Sequence, residues 1–301
     1  PLVIAGLYTI YKHKKYLLGG VLFSAATANS LYANHPQMTF YFVITCVVLA
    51  LVWLVESIKE KEINHLLKTI ATVIIGASIS LAATSSTWLM ALDYSKDSLR
   101  GNPILTEEST VNISSTEASN NAPSSEAAGE SGLGWEYAMM WSNKTQDLLS
   151  VLIPFAAGGS SGETTKEGAT FKLLVDNGAK TNEEGKMGLP FYWGGLPFTS
   201  GPNYLGAVMI FLFTFGFFIE KGGLRWWALI SVLLTLFLSM GQHFETLQRL
   251  FFDFVPFYNK FRAPSSILTI TPFFLPILGL FAINKLCYQK YSPDSVKKAL
   301  I

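Results

Sequence analysis

MTFYFVITCVVLALVWLV, residues 38–55, is the stretch whose reading decides the fold: it carries no charged side chain from end to end. A helix of roughly 18 or more such residues crosses a hydrocarbon core about 30 Å thick. Lipid offers no water to bond with, so the segment must satisfy its backbone groups internally, as a helix does. Its flanks punctuate it. Asn34, His35, Pro36 and Gln37 stand before it, and Glu56, Lys59, Glu60 and Lys61 follow it.

Working outward, residues 16–31, 66–92, 204–219, 224–240 and 267–286 repeat the pattern, with interiors free of Asp, Glu, Lys and Arg. Residues 1–11 are apolar but too short to span before Lys12, His13, Lys14 and Lys15, so the chain is expected to enter partway through a first helix. Composition agrees. Hydrophobic residues make up 50% of the 301 and charged residues 14%, against about 25% charged in an ordinary soluble domain. The expected fold is an all-α integral membrane protein, a polytopic helical bundle with one long loop.

Basic residues give the bundle a direction. Lys12, Lys14 and Lys15 separate the first two spans; Lys59, Lys61 and Lys68 flank the next link but one. Lys221 and Arg225 sit between the fifth and sixth spans, and Lys285, Lys290, Lys297 and Lys298 close the seventh. These are alternate connections, so the positive-inside rule puts all of them in the cytoplasm. The chain then divides into helices over 1–92, an extracytoplasmic loop over 93–203, and helices with a cytoplasmic tail over 204–301. The expected location is the inner membrane of a bacterium. Membrane lipids are expected neighbours. Nucleic acid is not, because the net charge is only +1 and no basic face carries interleaved aromatics.

Within the loop, residues 106–132 are rich in Ser, Thr, Asn, Glu and Gly and are expected to be disordered. Over 134–155, Trp135, Tyr137, Met139, Met140, Trp141, Leu148, Leu149, Leu152 and Ile153 recur at helical spacing, which predicts an interfacial or re-entrant amphipathic helix. A short helix or strand follows over 170–175, and the Gly/Pro-rich stretch 188–202 excludes a helix.

Polar groups gather at span ends. Asn34, His35 and Gln37 form either a capped turn or a set of donors to a phosphate or sugar hydroxyl. Lys260 and Arg262, on the external side where positive charge is disfavoured, read either as snorkelling anchors or as a phosphate clamp. Tyr192 and Trp193 read as an interface belt or a sugar-stacking pair. Gln242 and His243 read as a helix cap. Cys46 and Cys287 are expected as buried small hydrophobes. Asn112 and Asn143 head sequons for N-glycosylation, a three-residue match that arises often by chance. There is no phosphate-binding Gly-x-x-x-x-Gly-Lys loop and no His-Glu-x-x-His. No cofactor is indicated, and a divalent metal is left open.

These same segments resemble the YfhO-type bacterial membrane protein family, particularly members of the Bacteroidetes. The resemblance is carried by residues 33–41, by Tyr94-Ser95 with Arg100-Gly101, by 192–206, and by Tyr258-Asn259-Lys260-Phe261-Arg262. It implies a GT-C-type architecture with its active site on the extracytoplasmic face. It also implies a glycosyltransferase that passes a sugar from a polyprenyl-phosphate-linked donor to a cell-envelope glycan, polymer or lipid. Arg262, supported by Lys260, would hold the carrier phosphate. His35, Asn34 and Gln37 would line the pocket, and Tyr192 and Trp193 would pack on sugar or lipid. In that class the catalytic acid residue lies in the first external loop, expected upstream of Pro1. The rival expectations are a transporter or flippase of lipid-linked glycans and a non-catalytic envelope assembly protein. Transporters tend to carry ionisable or broken-helix sites near the midplane, which these spans lack.

Overall fold

The computed structural model describes residues 1–96, 133–199 and 203–288. The expectations for 106–132, Asn112, Arg100-Gly101, Ser200 to Pro202, and Lys290, Lys297 and Lys298 lie outside those residues.

The decisive stretch is α3, Pro36–Lys59, which in chain order follows α1 (Leu2–Tyr11) and α2 (Tyr16–Tyr32) and precedes α4 (Ile63–Ala83). Its start follows from local chemistry. His35 Nδ1 accepts from the Met38 N–H at 3.4 Å, and Pro36 occupies the first turn, where its missing N–H has no helical partner to lose. Among the described residues three helices are long and apolar enough to cross a membrane: α3, α4 and Pro264–Tyr288, whose α-helical part is α12 (Thr271–Tyr288). The bent pair of α10 (Gly223–Ser239) and the segment that follows it makes a fourth only when counted as one broken span. Helices α1 and α9 (Ala207–Ile219) are apolar but shorter. Only 22% of the most apolar window of α3, and the same share of α4, is buried inside the protein. Val43, Val47 and Leu51 on α3, and Ile70, Ile74 and Ile79 on α4, therefore form a broad apolar exterior suited to lipid.

Two expected spans are built differently. The span read over 66–92 breaks at Thr84, where α4 ends and α5 (Ser85–Lys96) begins. Thr84 points both its N–H and its hydroxyl at the Ser80 carbonyl, at 3.1 and 2.8 Å, and it opens a Thr-Ser-Ser-Thr run of poor helix formers. The span read over 224–240 does not run out into a loop. At Gly241, whose φ of +48° favours glycine, the chain bends by 115° and returns as α11 (Glu245–Phe254).

Helix α10 is the centre of the packing, between α3 and α12. Trp227 is fully buried on it, donating to the Thr45 carbonyl at 2.8 Å and meeting Phe274 edge-on at 5.3 Å. Helix α9 packs on α12 through Gly216 and Gly279; a Cβ on Gly216 would stand 2.4 Å from the Leu278 carbonyl oxygen. Small residues let two apolar helices approach closely where lipid removes the hydrophobic drive to associate.

The helix ends sort into two groups. At one, Lys12 pairs with Glu56 at 2.8 Å, Lys14 with Glu62 at 2.9 Å and Lys285 with Glu220 at 2.7 Å. Glu56 also accepts from the Gly223 N–H at 2.9 Å, and Arg225 donates to the Glu220 carbonyl. The basic connections expected to share one side therefore do meet at one end of the bundle. At the other end lie Gln37, the 133–147 segment and the 239–266 segment.

That 133–147 segment is not the single helix expected over 134–155. It forms α6 (Trp135–Met139) and α7 (Thr145–Leu152), interrupted because the intervening backbone bonds elsewhere. The Asn143 N–H donates to the Ser239 carbonyl at 3.0 Å, and the Ser142 hydroxyl accepts from the Gln242 N–H at 3.1 Å. Beyond it, α8 (Ala169–Asp176) resolves the helix-or-strand alternative as a helix. Strands β1 (Glu163–Thr165) and β2 (Met187–Leu189) form a small antiparallel pair, so the expected non-helical stretch opens with a strand. From 190 to 199 it has no helix.

Candidate functional site

Arg262 follows a 3-10 turn, Tyr258–Lys260, entered from left-handed Phe257 at φ +68°, and precedes left-handed Ala263 at φ +58°, which leads into the next 3-10 segment. The turn is anchored inward by Tyr258, whose buried hydroxyl bonds Gln248 of α11 at 3.0 Å. Burial pushes that phenol far above its ordinary titration range. Lys260 closes the turn, and burial lowers its ammonium below the usual range.

The Arg262 side chain lies exposed on α6. Its Nη1 donates to the Tyr137 hydroxyl at 2.5 Å, and its guanidinium stands 5.6 Å from the ring centroids of both Tyr137 and Trp141. Two backbone bonds hold this stack: Ala263 N–H to the Ala138 carbonyl at 2.9 Å and Ser265 N–H to the Trp141 carbonyl at 3.1 Å. Gln37 joins from α3, its Nε2 within bonding distance of the Arg262 carbonyl (2.5 Å), the Ser266 hydroxyl and the Tyr41 hydroxyl (both 3.0 Å). Gln37 and the Arg262 backbone are thus brought together. Asn34 and His35 are exposed in the adjoining turn, and His35 caps α3.

The expected aromatic pair is split. Trp193 is exposed. Tyr192 turns inward and donates to Asp147 Oδ1 at 2.5 Å while accepting from the Leu196 N–H at 2.8 Å. Burial, and then this bond to a carboxylate, push its phenol up. Asp147 is 3% exposed, and its Oδ2 accepts from the Gly195 and Lys144 N–H groups at 2.9 and 2.8 Å. A Cβ on Gly194 would lie 1.9 Å from Asp147 Oδ1, so only glycine lets the loop wrap the carboxylate. The loop reaches the arginine stack through Trp141, whose Nε1 donates to the Pro197 carbonyl at 3.2 Å.

Sequence reasoning placed Tyr137 and Trp141 on an amphipathic helix and missed their contact with Arg262; it passed over Asp147. The one signal for Asp147 was an acidic residue in the first turn of a helix, where the exposed N–H groups and dipole favour a carboxylate. Gln242 does not end a helix but bonds Ser142, and His243 stands exposed in the bend. Burial, followed by the charge of Lys144 and opposed by Asp147, lowers the His243 pKa.

Asn143 is 2% exposed, so its sequon is closed to a glycan; Cys46 is half-buried, while Cys287, expected to be buried, is exposed. Among the described residues no three His, Cys, Asp or Glu side chains converge as a metal site would require. What the arrangement can do chemically is present a fixed, planar cation on an aromatic ledge. No protein-family model, curated protein or solved structure matches the chain.

Proposed function

We propose that this chain is part of a GT-C-type membrane glycosyltransferase of the YfhO kind, working on a polyprenyl-phosphate-linked sugar at the outer face of a bacterial inner membrane. One observation carries the reading: Arg262, exposed, bonded to Tyr137 and stacked beside Trp141. A guanidinium held by one N–H keeps its remaining donors in a rigid fork, the geometry that matches phosphate oxygens. Sidedness is supported by the lysine-rich opposite end, which the positive-inside rule assigns to the cytoplasm.

In the proposed reaction a base takes the proton of an acceptor hydroxyl. The hydroxyl oxygen bonds the sugar's anomeric carbon as the bond from that carbon to the carrier phosphate breaks. Charge grows on the departing phosphate, and Arg262 stabilises it there. Gln37 holds the Arg262 backbone in place, and Trp193 offers an exposed ring for sugar or lipid. The test is transfer from a lipid-linked sugar by the full-length protein. Arg262→Ala is expected to lower the rate about 100-fold, equivalent to roughly 2.7 kcal/mol. Unchanged turnover would remove Arg262 from the proposal.

A further inference from the structure

Helix α7 is built inside out. Its inward face carries Asp147 and Ser150, both buried and both bonded. Asp147 accepts from Tyr192, Gly195 and Lys144, and the Ser150 hydroxyl accepts from the Ala157 N–H at 2.9 Å. The outward face changes along the helix. Lys144, Thr145 and Gln146 are exposed at its start, whereas Leu149 and Leu152, one turn apart and facing away from Asp147 and Ser150, are exposed toward its end. Leu152 opens a run of four exposed residues without a polar side chain, Leu152-Ile153-Pro154-Phe155. Phe155 is 75% exposed at φ +63°, a conformation rare for a bulky residue, so the turn holds its ring outward at a backbone cost. A helix that packs on a core in water buries its leucines and turns its carboxylate out; α7 does the reverse.

The neighbour of α7 decides what lies against that face. The Leu205 N–H donates to the Val151 carbonyl at 3.2 Å, which ties the end of α7 to the residues leading into α9. Helix α9 has 13 residues and no charged side chain, and its far end stops at Glu220, among the lysine pairs. At about 1.5 Å per residue it rises only about 20 Å, roughly 10 Å short of a hydrocarbon core about 30 Å thick. Its Glu220 end is fixed at the charged boundary, so the shortfall falls at Ala207. Val208 and Phe211 are exposed in the first turns of α9, and the exposed end of α7 supplies further apolar surface beside them. A protein partner would not require the change from polar to apolar along α7, whereas a boundary between water and lipid does.

We propose that the end of α7 and the turn after it dip into the lipid leaflet, with Leu149, Leu152, Ile153 and Phe155 among the acyl chains and Thr145 and Gln146 at the headgroups. This foot makes the hydrocarbon contact that α9 is too short to make. The inference rests on the membrane reading of the long apolar helices and not on the transferase proposal. It is tested by nitroxide accessibility in the full chain, freed of its own thiols by Cys46→Ala and Cys287→Ala and reconstituted in vesicles of equal parts phosphatidylcholine and phosphatidylglycerol. Labels are placed in turn at Leu152→Cys and Phe155→Cys, with Gln146→Cys as the water reference and Val208→Cys on α9 as the lipid reference. Oxygen concentrates in hydrocarbon and a nickel chelate in water. Because the bilayer core holds no water, the oxygen-to-nickel ratio at 152 and 155 is expected to be about tenfold that at 146 and equal to that at 208. The two foot positions are independent, so a variant that fails to fold leaves the other to decide. A ratio at 152 and 155 as low as that at 146 would overturn the proposal by placing the foot in water. Protection from both reagents would overturn it in favour of a covering protein surface, such as a second copy of the chain.

Discussion

The two ends of this helical bundle are held by opposite means. One is closed by three lysine–glutamate pairs that link helix termini directly. The other has its described loops threaded together by backbone hydrogen bonds, ring stacking and a single buried carboxylate, Asp147, that organises a glycine-rich loop. Charge pairs between side chains fix helix ends but expose little that is new. Loops fixed through their own backbones leave side chains such as Arg262 and Trp193 turned outward. The difference separates an end that holds the bundle from an end that displays chemistry.

That contrast can be broken most sharply at Asp147. Asp147→Ala leaves the Tyr192 hydroxyl and two backbone N–H groups without their acceptor in a buried place, and is expected to cost about 3 kcal/mol in unfolding free energy. Denaturant titration in detergent checks this, and an unaltered midpoint would mean that the loop does not depend on the carboxylate. At the opposite end, Lys285→Gln strands the mostly buried Glu220 and is expected to cost about 2 kcal/mol in the same measurement. Arg262→Lys keeps the charge and loses the fork, so transfer should fall about tenfold, roughly 1.4 kcal/mol in barrier height. Its stability should stay within about 0.5 kcal/mol of the parent, since the side chain is exposed.

His243 sharpens the comparison through pH. Its folded-state pKa lies below the ordinary value, so the unfolded chain takes up the proton first as pH falls. The stability it contributes is present above the usual histidine range, about pH 6.5, and is lost as pH drops below it. A melting temperature that declines from pH 7 to pH 5 should decline less steeply in His243→Gln. The smallest effect belongs to Lys14 and Glu62, whose exposed pair is screened by solvent. Lys14→Gln should leave the melting temperature unchanged.

Much of the fold was legible from apolar runs and basic punctuation alone. Residues 38–55 lie wholly inside α3, and the alternate basic connections do meet at one end. What was hidden depended on tertiary contact. Trp135, Tyr137 and Trp141 follow helical spacing, yet the chain between Met139 and Thr145 leaves the helix to bond Ser239 and Gln242, and no local pattern announces partners so far along the chain. The return of α11 was hidden for a similar reason, because one glycine at φ +48° turns an apparent loop into a helix folded back on the bundle. Of the candidate site, Gln37 and Arg262 were found by residue type and placement. The bond from Tyr192 to Asp147 was hidden, since the carboxylate lies 45 residues earlier.

The Ser142–Gln242 bond also orders events in time. Its two ends are 100 residues apart, and the later one is made last. At a synthesis rate of about 5–20 residues per second, the 133–147 segment waits roughly 5 to 20 seconds before its docking partner exists. During that interval Trp135, Tyr137 and Trp141 have no finished bundle to rest on, so a newly made chain is most vulnerable to proteases and chaperones at the place where the mature protein carries its arginine ledge.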